Sequence, residues 1–81
     1  MNSNIFWPVT LHKEADWKTN ERGDSARYRI FRLPTKQYIT VIETIDSDFQ
    51  RFDFAIAPVG SSFEAEFMSD YEVDEWLRYC D

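Results

Sequence analysis

Three runs rich in β-branched and aromatic residues, Arg27–Leu33, Tyr38–Ile45 and Phe49–Ala57, follow one another with only short breaks between them. The breaks, Leu33-Pro34-Thr35-Lys36 and Asp46-Ser47-Asp48, are made of residues that favour turns. Connections this short join antiparallel neighbours, so the middle of the chain reads as a meander. In the third run Phe52, Phe54 and Ile56 share one face, and Arg51, Asp53 and Ala55 share the other. In the second, Ile39, Val41 and Ile45 share a face that Glu43 interrupts.

Upstream, Ile5, Trp7, Val9 and Leu11 alternate with Phe6, Pro8, Thr10 and His12, the period of a half-buried strand. Pro8 has no N–H to donate, which places this strand at a sheet edge or a bulge. Residues 13–26 form a polar stretch with one apolar anchor, Trp17, and read as a long loop. The ring either pins that loop or is offered to a partner. Arg22-Gly23-Asp24 spells an adhesion-type signature, but without a secretory context it reads as a turn.

Downstream, Pro58-Val59-Gly60-Ser61-Ser62 is a break. Phe63, Ala65 and Phe67 alternate with Glu64 and Glu66, which predicts a short strand. Ser69 and Glu72 fit a capping box, and Val73, Trp76, Leu77 and Cys80 then make one helical stripe. A single helix from Ser61 to Tyr79 is the rival, because Ser61 and Glu64 also fit a capping box. The strand-then-helix alternative is preferred, since the stripe extended backward lands on Glu66, Ser69 and Asp70. The expected architecture is α+β over residues 1–81: an antiparallel sheet of four or five strands with one short C-terminal helix on one face. With 81 residues there is no room for a second core, and seven Phe, four Tyr and three Trp supply the apolar area for one.

The inventory nearly excludes nucleophilic catalysis. Cys80 and His12 are each the only member of their type, one on the expected buried stripe and the other at a strand end. Gly23 and Gly60 are isolated, so no phosphate-cradling loop is present. The acidic pairs Asp70/Asp74 and Asp46/Asp48 lack the glycine bend and terminal bidentate acid of a calcium loop. No catalytic residue, metal site or cofactor is therefore assigned. A lone cysteine forms no intrachain disulfide, and Met1–Asn4 show no basic stretch leading into an apolar core. A cytoplasmic protein without a membrane span is expected.

Charge is divided along the chain. Residues 1–36 hold seven basic and four acidic side chains, and residues 37–81 hold two basic and eleven acidic, for a net charge of −6. Glu64, Glu66, Asp70, Asp74 and Glu75, with Tyr71 among them, form the expected partner-binding surface. An acidic ridge of this kind can enter a site evolved for phosphates. The function expected is a non-enzymatic interaction module that binds and inhibits a basic partner, such as a nuclease or another nucleic-acid-binding protein. Small acidic α+β proteins of this build occur among phage anti-defence inhibitors, anti-CRISPR proteins included, and among toxin immunity proteins; the analogy is one of class only. The alternative is single-stranded nucleic acid on Arg27, Arg29, Arg32 and Arg51, interleaved with Tyr28 and Phe31. Against it stands cross-strand pairing of those arginines with Glu43, Asp53 or Glu64. An edge strand with exposed aromatics also leaves a homodimer open.

Overall fold

The computed structural model describes residues 9–79, without the side chain of residue 79. Five strands, β1 (Thr10–Glu14), β2 (Lys18–Thr19), β3 (Ser25–Arg32), β4 (Tyr38–Ile45) and β5 (Arg51–Val59), precede one helix, α1 (Ser62–Tyr79). The strands form one antiparallel sheet in the order β1-β3-β4-β5, with β2 pairing beside β1 on the same edge of β3. The expected α+β architecture is the one observed. Ile5 and Trp7 of the expected first strand, and Cys80 of the expected stripe, lie outside the described residues.

The two hairpins close in the same way. Leu33 and Asp46 donate their N–H to Gln37 and Gln50 at 2.8 and 3.0 Å, and Lys36 and Phe49 donate back to Leu33 and Asp46. Lys36 and Phe49 sit at φ 71° and 64°, the left-handed position of a three-residue hairpin loop. Two bulges modify the sheet. One falls at His12 between the pairs Leu11↔Phe31 and Lys13↔Ile30. The other falls in β5, where Ile56 pairs with Thr40 but Val59 pairs with Tyr38. Pro58 lies in that irregular stretch of an edge strand, where a missing N–H costs little, so β5 runs through Pro58 to Val59 and does not stop at Ala57.

Alternation sorts the sheet into two faces. Ala26, Tyr28 and Ile30 of β3 and Ile42 of β4 are buried against Ala65 and Val73 of α1, with Phe54, Ile56, Val59, Trp76 and Leu77 packed around them. Arg27, Arg29, Val41 and Glu43 point to the opposite face, over which no helix lies among the described residues.

Residues 13–26 are not one long loop. They complete β1, form β2, and turn at residues 20–24 into β3. Trp17 anchors the stretch, with the Arg27 guanidinium 4.9 Å from its ring centroid. Asp24 is buried and accepts from Asn20 Nδ2, Arg22 Nε and the Ser47 N–H at 3.2, 3.1 and 3.0 Å. Asn20 Nδ2 and Arg22 also donate to the Leu77 carbonyl at 2.7 and 3.1 Å, satisfying an orphan acceptor at the end of α1. Gly23 provides φ 88° for this turn. Within the Arg-Gly-Asp tripeptide, Arg22 thus joins Asn20 in clamping the C-terminal end of α1, and the buried Asp24 holds both side chains.

The expected strand over Phe63–Phe67 is overturned. Helix begins at Ser62, and Ser61 caps it: its carbonyl accepts from Ala65 N–H at 3.0 Å and its Oγ from Glu64 N–H at 3.4 Å. Ser69 is an interior residue, fully buried, and not an N-cap. Its hydroxyl lies 2.8 Å from Thr40 Oγ1 and donates to the Ala65 carbonyl at 2.5 Å. Two polar side chains satisfy each other inside the interface, so the buried stripe runs Ala65, Ser69, Val73 through a serine.

Candidate functional site

Ala65, Ser69 and Val73 repeat every four residues and fix the rotation of α1 on the sheet. The same rotation turns Phe63, Phe67 and Tyr71, also four residues apart, to the opposite side. They are 80%, 66% and 56% exposed. By helical geometry Asp70 and Asp74 flank this ridge on one side, with Glu64 and Glu75 on the other. The outer face of α1 is therefore a line of three rings between two rows of carboxylates.

Five of the six expected partner-binding residues sit around this ridge, and one does not. Glu64, Asp70, Tyr71 and Asp74 are exposed and Glu75 is half-buried. Asp74 accepts from Lys18 Nζ at 3.2 Å, and Glu75 lies 3.9 Å from Arg78. Glu66 turns toward β1, where His12 Nε2 and Lys13 Nζ each stand 3.3 Å from its carboxylate. The bulge at His12 allows both residues to reach the helix side. Hydrogen bonds from His12 and then Lys13 hold the Glu66 carboxyl below its ordinary range, against desolvation. Glu64 and Glu66 therefore do not share a face, because two helical residues apart means roughly 200° of rotation.

Behind Glu66 the charges continue inward. Lys13 stands 5.8 Å from the Tyr28 ring centroid, and its ammonium is raised by hydrogen bonding to Tyr28 first and Glu66 second. Burial raises the Tyr28 hydroxyl; the Lys13 hydrogen bond opposes this, and the charge of Asp70 adds to it. This cluster fastens β1 to α1.

Three of the four arginines of the alternative surface are brought together, but around a carboxylate. Arg27, Arg29 and Arg51 converge on buried Glu43: Arg27 Nε on one oxygen, and Arg29 and Arg51 at 2.7 and 3.9 Å from the other. Arg27 also reaches Glu14 at 3.1 Å, and Arg51 reaches Asp53 at 3.3 Å. Arg29 lies 5.6 Å from the Phe31 ring centroid. Arg32 is apart, lining a shallow groove with Thr10, Leu33, Pro34 and Lys36. Glu64, the third carboxylate weighed as a partner for these arginines, lies on the helix and not on an adjacent strand.

Phe63 and Phe67 are the site residues that sequence reasoning missed. The signal that finds them is the capping box at Ser61: once the helix starts there, their spacing to Tyr71 is a second stripe opposite the core. Among the described residues no group of His, Cys, Asp and Glu is arranged to hold a metal, and no helix is long and apolar enough to cross a membrane. No protein-family model, curated protein or solved structure matches this chain.

Proposed function

We propose that the chain is a non-enzymatic interaction module that lays the outer face of α1 into a basic groove of a nucleic-acid-handling protein, such as a nuclease, and blocks it. The observation that carries this is the exposed ridge of Phe63, Phe67 and Tyr71 between carboxylates. Each component has a distinct task. Aromatic rings spaced along one helix face supply desolvated anchors, which dominate binding energy at interfaces. The carboxylates meet the lysines and arginines that would otherwise hold phosphates, and they accelerate encounter. The net charge of −6 opposes nucleic acid as the ligand and favours a basic protein. The arginine surface has less support as a nucleic-acid platform, because Arg27, Arg29 and Arg51 already pair with carboxylates.

The test is affinity capture from lysate with and without nuclease, using the parent chain, Phe67→Ser, and the triple charge reversal Glu64→Lys, Asp70→Lys and Asp74→Lys. The expected result is a basic protein retained by the parent, released as salt rises, and lost by both variants while their melting temperatures hold. A partner captured equally by all three proteins would refute the helix surface. Co-purifying nucleic acid, with every other partner lost on nuclease treatment, would transfer the function to the arginine face.

A further inference from the structure

β5 is an outer strand of the sheet, and no element pairs with its free edge among the described residues. Its main-chain groups can be assigned. The Asp46 N–H donates to the Gln50 carbonyl, and the Phe52 carbonyl faces β4, where it accepts from Thr44 Oγ1. Hydrogen-bonded pairs alternate along an antiparallel ladder, so Phe52, Phe54 and Ile56 turn their N–H and C=O toward β4. Arg51, Asp53 and Ala55 turn theirs outward.

Edges of this length are normally protected by charged side chains, lysine above all, by proline or by a bulge. Residues 51–56 of β5 have no lysine, proline or bulge, and their two charges, Arg51 and Asp53, pair with each other at 3.3 Å; the bulge and Pro58 come only afterwards. Phe52 is 62% exposed beside this edge. The charge on β5 differs from that on α1: Arg51 and Asp53 cancel, whereas α1 carries six carboxylates against Arg78. A second copy meets no repulsion along β5, and a basic partner finds no attraction there.

We infer that β5 is a homotypic docking edge, on which a second copy of the chain adds its own β5 antiparallel across a two-fold axis at Phe54. That register is selected by the residues. An axis one residue earlier would set Asp53 against its own copy, and one residue later would run Phe52 onto Pro58. With the axis at Phe54, Asp53 opposes Ala55 of the second copy and Phe52 opposes its Ile56. Outward main-chain groups then meet outward groups, because odd residues oppose odd ones. Each copy keeps its α1 on the same face of one continuous sheet, and the aromatic ridge is not consumed.

The test is sedimentation velocity from low micromolar to millimolar protein, with site-resolved amide hydrogen exchange at both extremes. The variants are Ala55→Pro, which deletes an outward N–H that β4 does not use, and Phe52→Lys, at a side chain already exposed. The expected outcome is a concentration-dependent dimer that protects the Asp53 and Ala55 amides, with both variants monomeric and still folded by circular dichroism. A parent that stays monomeric with these amides unprotected at millimolar concentration overturns the inference. So does a dimer that persists in both variants, because it must use another surface.

Discussion

The hydroxyls of Thr40 and Ser69 lie 2.8 Å apart in the buried interface between β4 and α1. The direction of that bond follows from donor counting. Ser69 gives its only hydrogen to the Ala65 carbonyl, which is solely an acceptor, so Thr40 donates to Ser69. Ser69→Ala therefore orphans a buried donor and is expected to destabilise the domain by about 1–3 kcal/mol. The double variant with Thr40→Val is expected to lose less than the sum of the singles. A double-mutant cycle of urea melts measures it, and additive losses would mean the two hydroxyls do not interact.

Glu43 is the shared counter-charge of three guanidiniums, accepting hydrogen bonds from Arg27 and Arg29, and its side chain is almost fully withdrawn from water. Glu43→Gln removes the carboxylate that pairs with Arg29 and one of the two that pair with Arg27, both guanidiniums being half-buried. The loss is placed near the lower end of the roughly 3–5 kcal/mol seen when one partner of a buried pair is removed, because the arginines retain contact with solvent. Chemical denaturation reads the loss directly, and a change below half a kcal/mol would show the network to be dispensable.

Phe49 is 87% exposed and held at φ 64°, where its ring packs on little and its Cβ meets the backbone. Left-handed backbone costs a non-glycine residue about 1–2 kcal/mol, whereas glycine adds roughly 0.5–1 kcal/mol of chain entropy to folding. Relief wins, so Phe49→Gly is expected to stabilise the domain by about 0.5–1 kcal/mol in thermal melts. A lower melting temperature would mean that the ring makes contacts that outweigh the strain.

Asp24 and Glu66 both respond to acid in the same direction. Asp24 is held below its ordinary range by the Asn20 amide first, with Arg22 and the Ser47 N–H adding, against desolvation. Glu66 is held down by His12 and Lys13. A carboxyl whose folded pKa is depressed contributes stability that is complete above its unfolded value, and loses it as pH falls through the folded one. Melting temperature is therefore expected to hold from neutrality to about pH 5 and to fall below about pH 4. Asp24→Asn and Glu66→Gln start lower and show a shallower acid limb; limbs parallel to the parent's would remove both groups from the acid response.

The middle of the fold was legible because its determinants are local. Period-two alternation and two turns of similar chemistry specify β3, β4 and β5 wherever they dock, and the Arg27–Glu43 pairing follows from strands adjacent in sequence. The helix was harder. Ser61 and Ser69 each head an acceptable capping box, and the local pattern does not separate them. The stripe favours the wrong one, because a serine on the buried stripe looks like an interruption until its partner, Thr40, is known.

What the sequence determined by itself was the meander, the single helix after it and the acidic excess. Tertiary structure decided where α1 begins, which way Phe63 and Phe67 face, and that Glu66 leaves the acidic surface for β1. It also decided that Asn20 and Arg22 close the end of α1. In each case the deciding partner lies far along the chain: Thr40 for Ser69, His12 and Lys13 for Glu66, Leu77 for Asn20 and Arg22. Buried polar groups must be satisfied, but which group satisfies them is settled only when distant segments pack, and that is information no local period carries.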